Sequence, residues 1–419
     1  MHSRNPEGFL RAVASTRPIN RARMVAALRR AGPMPRVALA RATGLSFAAV
    51  SAITAELMAE GVLLEGAPDP TKGRGRPTVD IDLNPSYGRI VALALRMNNV
   101  DAMLSDFRGR PIARHRRTVA TRALTDDSLR QVLIDEARAV SASDTGGGRL
   151  LGVGVALQGV VDATGGRQLW SPALSCTGTE IAGTLSRALG GPVVMGNDAV
   201  AMSVGLAAAD PELARGPTAT IMAGHGVGMG LLIDGHPALG DGGVASEIGH
   251  IKVSADGPQC RCGQRGCIEA YLADYALYRD ARTFLDLPPA EAQQPTEAQM
   301  TLLHERARAG DVRLDRLYRQ AGHALAAAVA VAVSVLDPRH VVLTGPIMEA
   351  FPMMREAYEA RLAETVLPWL LTRTRIHVRP CGTDMIVEGM ALRTLAEIDR
   401  KFAGPDAVEP ADRRATIGG

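Results

Sequence analysis

The run from Glu247 to Glu269, EIGHIKVSADGPQCRCGQRGCIE, constrains this chain more than any other segment. It sets one imidazole, His250, close in sequence to three thiols, Cys260, Cys262 and Cys267. Thiolates with an imidazole and no open position make a closed tetrahedral site, and zinc is the ion such a donor set favours. Gly257, Gly263 and Gly266 permit the tight turns that converge the ligands. The expectation is a Cys3His knuckle holding structural Zn2+; the alternative is a loop of reduced, metal-free cysteines.

Cysteine usage elsewhere agrees. Of the five cysteines only Cys176 and Cys381 lie outside this run, and such crowding in a reducing compartment favours a metal over a disulfide. The N-terminus lacks the apolar stretch of a secretory signal, and no apolar run reaches the roughly 18 residues of a spanning helix. A cytoplasmic protein is expected.

At 419 residues, 46% apolar and 22% charged, the chain is too long for one core and too apolar to be wholly disordered. Its net charge of +3 makes it no polycation, so nucleic-acid binding requires a local basic patch. Four segments follow from patterning: an arm over 1–19, a helical and stranded unit over 20–85, an α/β body of two lobes over 86–402, and a loose tail over 403–419.

The second segment has helix-turn-helix form. Helices are expected over 21–31, 36–42 and from Ser46 to about Glu60, with Gly44 supplying the sharp turn and Gly61 ending the last helix. Val50, Ile53, Leu57 and Met58 share the core face. Ser46, Phe47, Ala48, Ala49 and Ser51 are left for the major groove. Strands at 62–64 and 79–83 would form a wing whose tip, KGRGRP, carries Lys72, Arg74 and Arg76 toward a narrow minor groove. The competing reading is a three-helix protein-interaction module with a solvated basic loop.

ExGH followed by CxCGxxGCxE resembles the ROK family of repressors, open-reading-frame proteins and sugar kinases. A preceding helix-turn-helix, a GRGRP wing and an LNP junction resemble its transcriptional regulators. The resemblance implies an actin-like, ribonuclease-H-like fold in two lobes with a sugar in the cleft. Matched position by position, Asn197, Asp198, Glu247, His250 and Glu269 would contact that sugar. Asp198 would be the base in a kinase, and His250 would also ligate zinc. Gln158-Gly159 stands where relatives carry Pro-Gly.

The phosphate side departs from the family. Its first motif, DxGGT, is replaced by Ala94-Leu95-Arg96-Met97-Asn98: the Mg2+-organising Asp is Ala94, and two glycines are Arg96 and Met97. The glycine string Gly224 to Gly230 loses its Thr, and the later Gly-Gly is Gly345-Pro346. Side chains are expected to fill the volume phosphates need. The leading reading is a regulator, a repressor of carbohydrate genes that is no enzyme, binding a palindromic operator as a homodimer or homotetramer and answering to a sugar or sugar phosphate. A ROK-type sugar kinase is the enzymatic alternative, and control by a partner protein a third.

Overall fold

The computed structural model describes residues 6–66, 79–240, 243, 246–290 and 294–402. Helix α1 (Pro6–Ala31) is one continuous helix that begins well before residue 21, so most of the segment expected as an arm is helical. Strand β1 (Met34–Pro35) leads into α2 (Arg36–Thr43) and α3 (Phe47–Ala59). The α2 and α3 axes bend by 111° across Gly44, within the range of a helix-turn-helix. Gly44 holds φ 69° as the C-cap of α2, a conformation that favours glycine. Gly61 closes α3 in a Schellman motif: its N–H donates to the Met58 carbonyl, and that of Val62 to the Leu57 carbonyl. Strands β2 (Leu63–Glu65) and β3 (Asp80–Leu83) complete an antiparallel sheet of order β1-β3-β2. The expected wing is therefore present at its base. Lys72, Arg74 and Arg76 lie outside the described residues.

The body follows. Its first lobe comprises β4 (Arg89–Arg96), β5 (Asn99–Asp106), β6 (Pro111–Thr118), α4 (Asp126–Ser141), β7 (Leu150–Leu157), β8 (Val160–Asp162), β9 (Arg167–Trp170), β10 (Thr179–Glu180), α5 (Ala182–Leu189), β11 (Val193–Asn197) and α6 (Asp198–Ala209). The second comprises β12 (Pro217–Ala223), β13 (Val227–Ile233), β14 (His236–Pro237), α7 (Glu269–Leu272), α8 (Asp274–Ala281), α9 (Glu297–Arg308), α10 (Val312–Leu336), β15 (His340–Thr344), α11 (Phe351–Thr365), α12 (Pro368–Arg373) and β16 (Arg375–Arg379), and α13 (Asp384–Lys401) closes the chain by packing back on the first.

The two five-stranded sheets share one topology, β6-β5-β4-β7-β11 and β14-β13-β12-β15-β16. In each, three antiparallel strands are followed by two added in parallel. The sequence betrays no such duplication, because what repeats is strand order rather than residue spacing.

Strand β4 is buried on both faces. Val91, Leu93 and Leu95 pack with Leu129, Leu133 and Ala137 of α4, while Ile90, Ala92 and Ala94 pack toward Met390, Ala391 and Leu395 of α13. Such two-sided burial is what makes a central strand read as an unbroken apolar run. Helices α6 and α13 meet backbone to backbone: a Cβ on Gly389 would stand 1.8 Å from the Ala201 carbonyl oxygen. Helix α10 is long and apolar enough to cross a bilayer, but half of its apolar window is buried within the second lobe.

Some elements depart from expectation. The sequence pattern predicts a helix over 178–189, but that helix starts at Ala182, because Thr179 and Glu180 pair with β9. Helices α7 to α9 had no expected counterpart, although Thr296 and Gln299 form a reciprocal capping box that announces α9.

Candidate functional site

A cleft opens where the C-terminal ends of the parallel strands β4 and β7 face the β12–β13 hairpin, with the α6 N-terminus and the 247–269 segment closing its sides. Open α/β sheets place their ligands at strand ends of this kind. Asn197, Asp198, Glu247, His250 and Glu269 all line this one cleft.

Their neighbours fix what each can offer. Asn197 is the N-cap of α6: its Oδ1 accepts from Ala199 N at 2.8 Å and Val200 N at 3.4 Å, and its Nδ2 donates to the Gly159 carbonyl at 2.8 Å. Its amide thus locks the cleft wall together. Asp198 accepts from Ala199 N at 2.9 Å through Oδ1. Burial pushes its carboxyl up to about 7, against the opposing pull of the Ala199 amide and the Arg96 charge. Burial likewise raises Glu247 to about 7, with Asp198 and Glu269 adding repulsion. Glu269 accepts from Val227 N at 3.2 Å and from the Tyr275 hydroxyl at 3.3 Å. Three carboxyls on one small surface suit vicinal hydroxyls, which need paired acceptors.

His250 links the cleft to the cysteines. Its Nδ1 is 3.6 Å from Cys260 Sγ, while its Nε2 is 3.8 Å from a Glu247 carboxylate oxygen. Cys262 Sγ and Cys267 Sγ are 3.7 Å apart, and the four ligand atoms all lie within 4.8 Å of one another. Two thiolates held tetrahedrally at about 2.3 Å from one ion stand about 3.8 Å apart. The donor set and its spacing fit a metal ion. Lys252 Nζ donates to Cys267 Sγ at 3.1 Å, placing its amine beside the sulfurs. With Nδ1 turned to the sulfurs, Nε2 is the nitrogen that faces the cleft.

The phosphate-side positions divide. Arg96 lines the cleft, where its guanidinium donates to Asp101 Oδ2 at 2.5 Å and to Thr383 Oγ1 at 2.8 Å. Met97 does not fill phosphate volume as expected; it is buried in the apolar layer beneath α4. Ala94 is buried toward α13. His225, in the glycine string, lines the cleft as a neutral ring, because burial, with Arg96 and Arg261, lowers it to about 4.

A sequence profile of the ROK family matches residues 97–392, more than half of the chain. The chain belongs to the ROK family. Among its curated relatives are the xylose repressor of Bacillus subtilis, 23% identical over 80% of this chain and 84% of that protein, and the DNA-binding transcriptional dual regulator NagC of Escherichia coli, 23% identical over 78% and 80%. Among solved structures, a ROK family transcriptional regulator homologous to the E. coli Mlc protein matches with a TM-score of 0.77, 22% identity, and 93% and 98% coverage of the two chains. A ROK family glucokinase from Streptomyces griseus, solved with glucose and AMPPNP, matches with a TM-score of 0.59, 23% identity, and 73% and 99% coverage. The likeness to both structures establishes the two-lobed fold.

Within this ROK cleft, sequence reasoning overlooked Trp170, whose ring meets that of His250 edge-on at 5.8 Å, and Thr383, at the start of α13. Neither carries a motif; both reach the cleft through chain segments distant from the pattern.

In the N-terminal helical unit, Val50, Ile53 and Leu57 are buried and Met58 packs beside them, as their spacing predicts. Phe47 is 56% exposed, Ala48 is exposed, and Ala49 and Ser51 are half-buried. Ser46 is exposed too, but its hydroxyl accepts from Ala49 N at 3.2 Å as the N-cap of α3. Arg21 of α1 pairs with Glu60 at 2.8 Å, clamping the far end of α3.

Proposed function

We propose that this ROK protein is a sugar-responsive DNA-binding transcriptional regulator that represses carbohydrate genes. The observation that carries the reading is one helix. Thr383, which immediately precedes α13, is hydrogen-bonded to Arg96 in the cleft, Ile386 in the first turn of α13 lines the cleft, and near the helix's other end Asp399 pairs with Arg29 of α1 in the DNA-binding unit. An 18-residue helix spans about 27 Å, so one rigid element touches both ligand wall and DNA reader. The names of the repressor relatives support the same reading.

In this account residues 20–85 bind a palindromic operator, with Ser46, Phe47, Ala48, Ala49 and Ser51 at the major groove and Lys72, Arg74 and Arg76 on the wing. Residues 86–402 bind the sugar through Asp198, Glu247, His250 and Glu269 on a wall braced by Asn197. A homodimer presents two α3 helices, and sugar binding changes their spacing. The ion is zinc, which would be held by His250, Cys260, Cys262 and Cys267 and would set the orientation of the His250 ring. The nucleotide side is degenerate, since Ala94 supplies no Mg2+ ligand and Arg96 takes the place of a phosphate-facing glycine. DNA selected from a random pool by the full chain, then challenged with a panel of free sugars, tests the proposal: release by one sugar supports it, and absence of sequence-selective binding contradicts it.

Asp198 favours one second reading, a sugar kinase, because a buried carboxyl raised to about 7 suits a general base at neutral pH. Formation of sugar phosphate from ATP would decide for that reading.

A further inference from the structure

The wall of the cleft holds two polar side chains that the proposed hydroxyl contacts do not use. Arg96 and Gln158 occupy neighbouring positions at the C-terminal ends of the parallel strands β4 and β7, where Gln158 N donates to the Leu95 carbonyl at 3.3 Å. Each is 7% exposed and each lines the cleft. Gln158 Oε1 and Arg96 Nε are both buried without a hydrogen-bond partner among the described residues. A buried polar atom left unpaired costs folding free energy, and both belong to residues that line the same cleft.

Charge decides what they serve. The Arg96 guanidinium is already engaged by Asp101, which also pairs with Arg116. The rest of the lining supplies the carboxyls of Asp198, Glu247 and Glu269. A phosphate ester brought here would meet three carboxyls and one cation that already has a counter-ion. A hydroxyl, which both donates and accepts, matches a wall that offers an orphan acceptor and an orphan donor. The terminal torsion of a glutamine is soft, so its amide turns toward a ligand at little cost. Its nitrogen end lies at the Gly226 turn, where a Cβ would stand 3.2 Å from Gln158 Nε2 and 2.9 Å from Glu269 Oε2. The glutamine therefore stands between the phosphate-side strand end and the carboxyl wall.

We propose that Gln158 is a specificity-determining residue that hydrogen-bonds a hydroxyl of an uncharged sugar, with Arg96 beside it as a locked neighbour rather than a phosphate receptor. The inference rests on the reading of the cleft as a sugar site. It assigns the effector to the free sugar and not to its phosphate ester.

Isothermal titration of the full chain, as purified with its metal, tests this with D-xylose, D-glucose, N-acetyl-D-glucosamine and the phosphate ester of each. A free sugar is expected to bind and its ester to bind more weakly. Gln158→Met keeps the shape and removes the amide, and should weaken the free sugar roughly 5- to 100-fold, the usual consequence of one buried polar partner lost. Unchanged metal content and circular dichroism distinguish a lost contact from a lost fold; Gln158→Asn, which shortens the amide's reach, should shift affinity in the same direction. An ester that binds as tightly as its free sugar overturns the assignment, and so does a Gln158→Met protein within twofold of wild type while Asp198→Asn is impaired. If no panel sugar binds, or neither variant changes binding, the sugar reading of the cleft itself fails.

Discussion

Arg29 of the first helix and Asp399 of the last form a two-pronged ion pair, Nε to Oδ2 and Nη2 to Oδ1, each at 2.7 Å. Both side chains are nearly buried. The guanidinium also lies 4.7 Å from the centroid of the Phe107 ring, which packs with Tyr87 and Phe402. The N-terminal unit is thus fastened to the body through a charged, geometrically specific joint, and Arg108 of the body adds a second by pairing with Asp82. Planar guanidinium–carboxylate pairs of this kind fix orientation as well as energy.

Removing one partner strands the other in an apolar joint. Asp399→Asn is expected to cost about 3–5 kcal/mol and to abolish release of DNA by sugar. The double variant Arg29→Met, Asp399→Leu should recover much of the stability without recovering the sugar response. Thermal unfolding and operator titration of the two proteins check this; a double variant that still releases DNA normally would show that the joint carries no signal.

The metal is expected to contribute folding energy directly. Cys260→Ser should lose stoichiometric zinc, lower the unfolding midpoint and loosen sugar binding, because His250 would lose the ion that fixes its ring. Metal analysis of protein purified without chelator checks the premise, and an intact, sugar-binding protein with no zinc refutes it.

Stability should fall from acid toward neutral pH through three carboxyls raised by burial, the fully enclosed Asp198 and Asp274 and, with the same sign, Glu247. Each is raised to about 7, so between about pH 4 and pH 7 each keeps a proton in the folded chain that the unfolded chain has released. Their contribution is complete below about pH 4 and is lost as pH rises through 7, at up to about 1.4 kcal/mol per pH unit for each. Asp198→Asn should flatten this slope and raise stability at pH 8. Denaturant unfolding between pH 5 and 8 measures it, and an unchanged slope contradicts it.

DNA recognition should separate into two kinds of contact. Arg74→Ala with Arg76→Ala should weaken binding across many sequences and reduce its salt dependence. Phe47→Ala should instead change which sequence is preferred. Competition binding against a randomised operator reads both. Full DNA affinity after deletion of residues 1–85 would contradict the assignment of this unit.

How far these features were legible from sequence follows from their physics. Helix α3 was legible because Val50, Ile53 and Leu57 repeat on one face and Gly44 and Gly61 mark its turns. The His250, Cys260, Cys262 and Cys267 cluster was legible because its members are close in sequence. Met97 was misplaced because a residue inside a degenerate motif can leave the cleft for the core, and residue identity alone does not say which. Trp170 and Thr383 were missed because three-dimensional proximity brings them in. Residues suited to cap a helix are also those suited to hold a ligand; Ser46 reads as the N-cap of α3 from sequence, and the hydrogen bonds show that both Ser46 and Asn197 cap helices.

The central claim is that sugar binding is transmitted to DNA and not to phosphate transfer. The most direct measurement is a single reaction holding the full chain, its selected operator, ATP with Mg2+ and the panel sugars, in which bound DNA and sugar phosphate are followed together. The account predicts that one free sugar releases the operator while no sugar phosphate accumulates. Sugar phosphate formed by the wild-type chain, or an operator that no sugar releases, would contradict it.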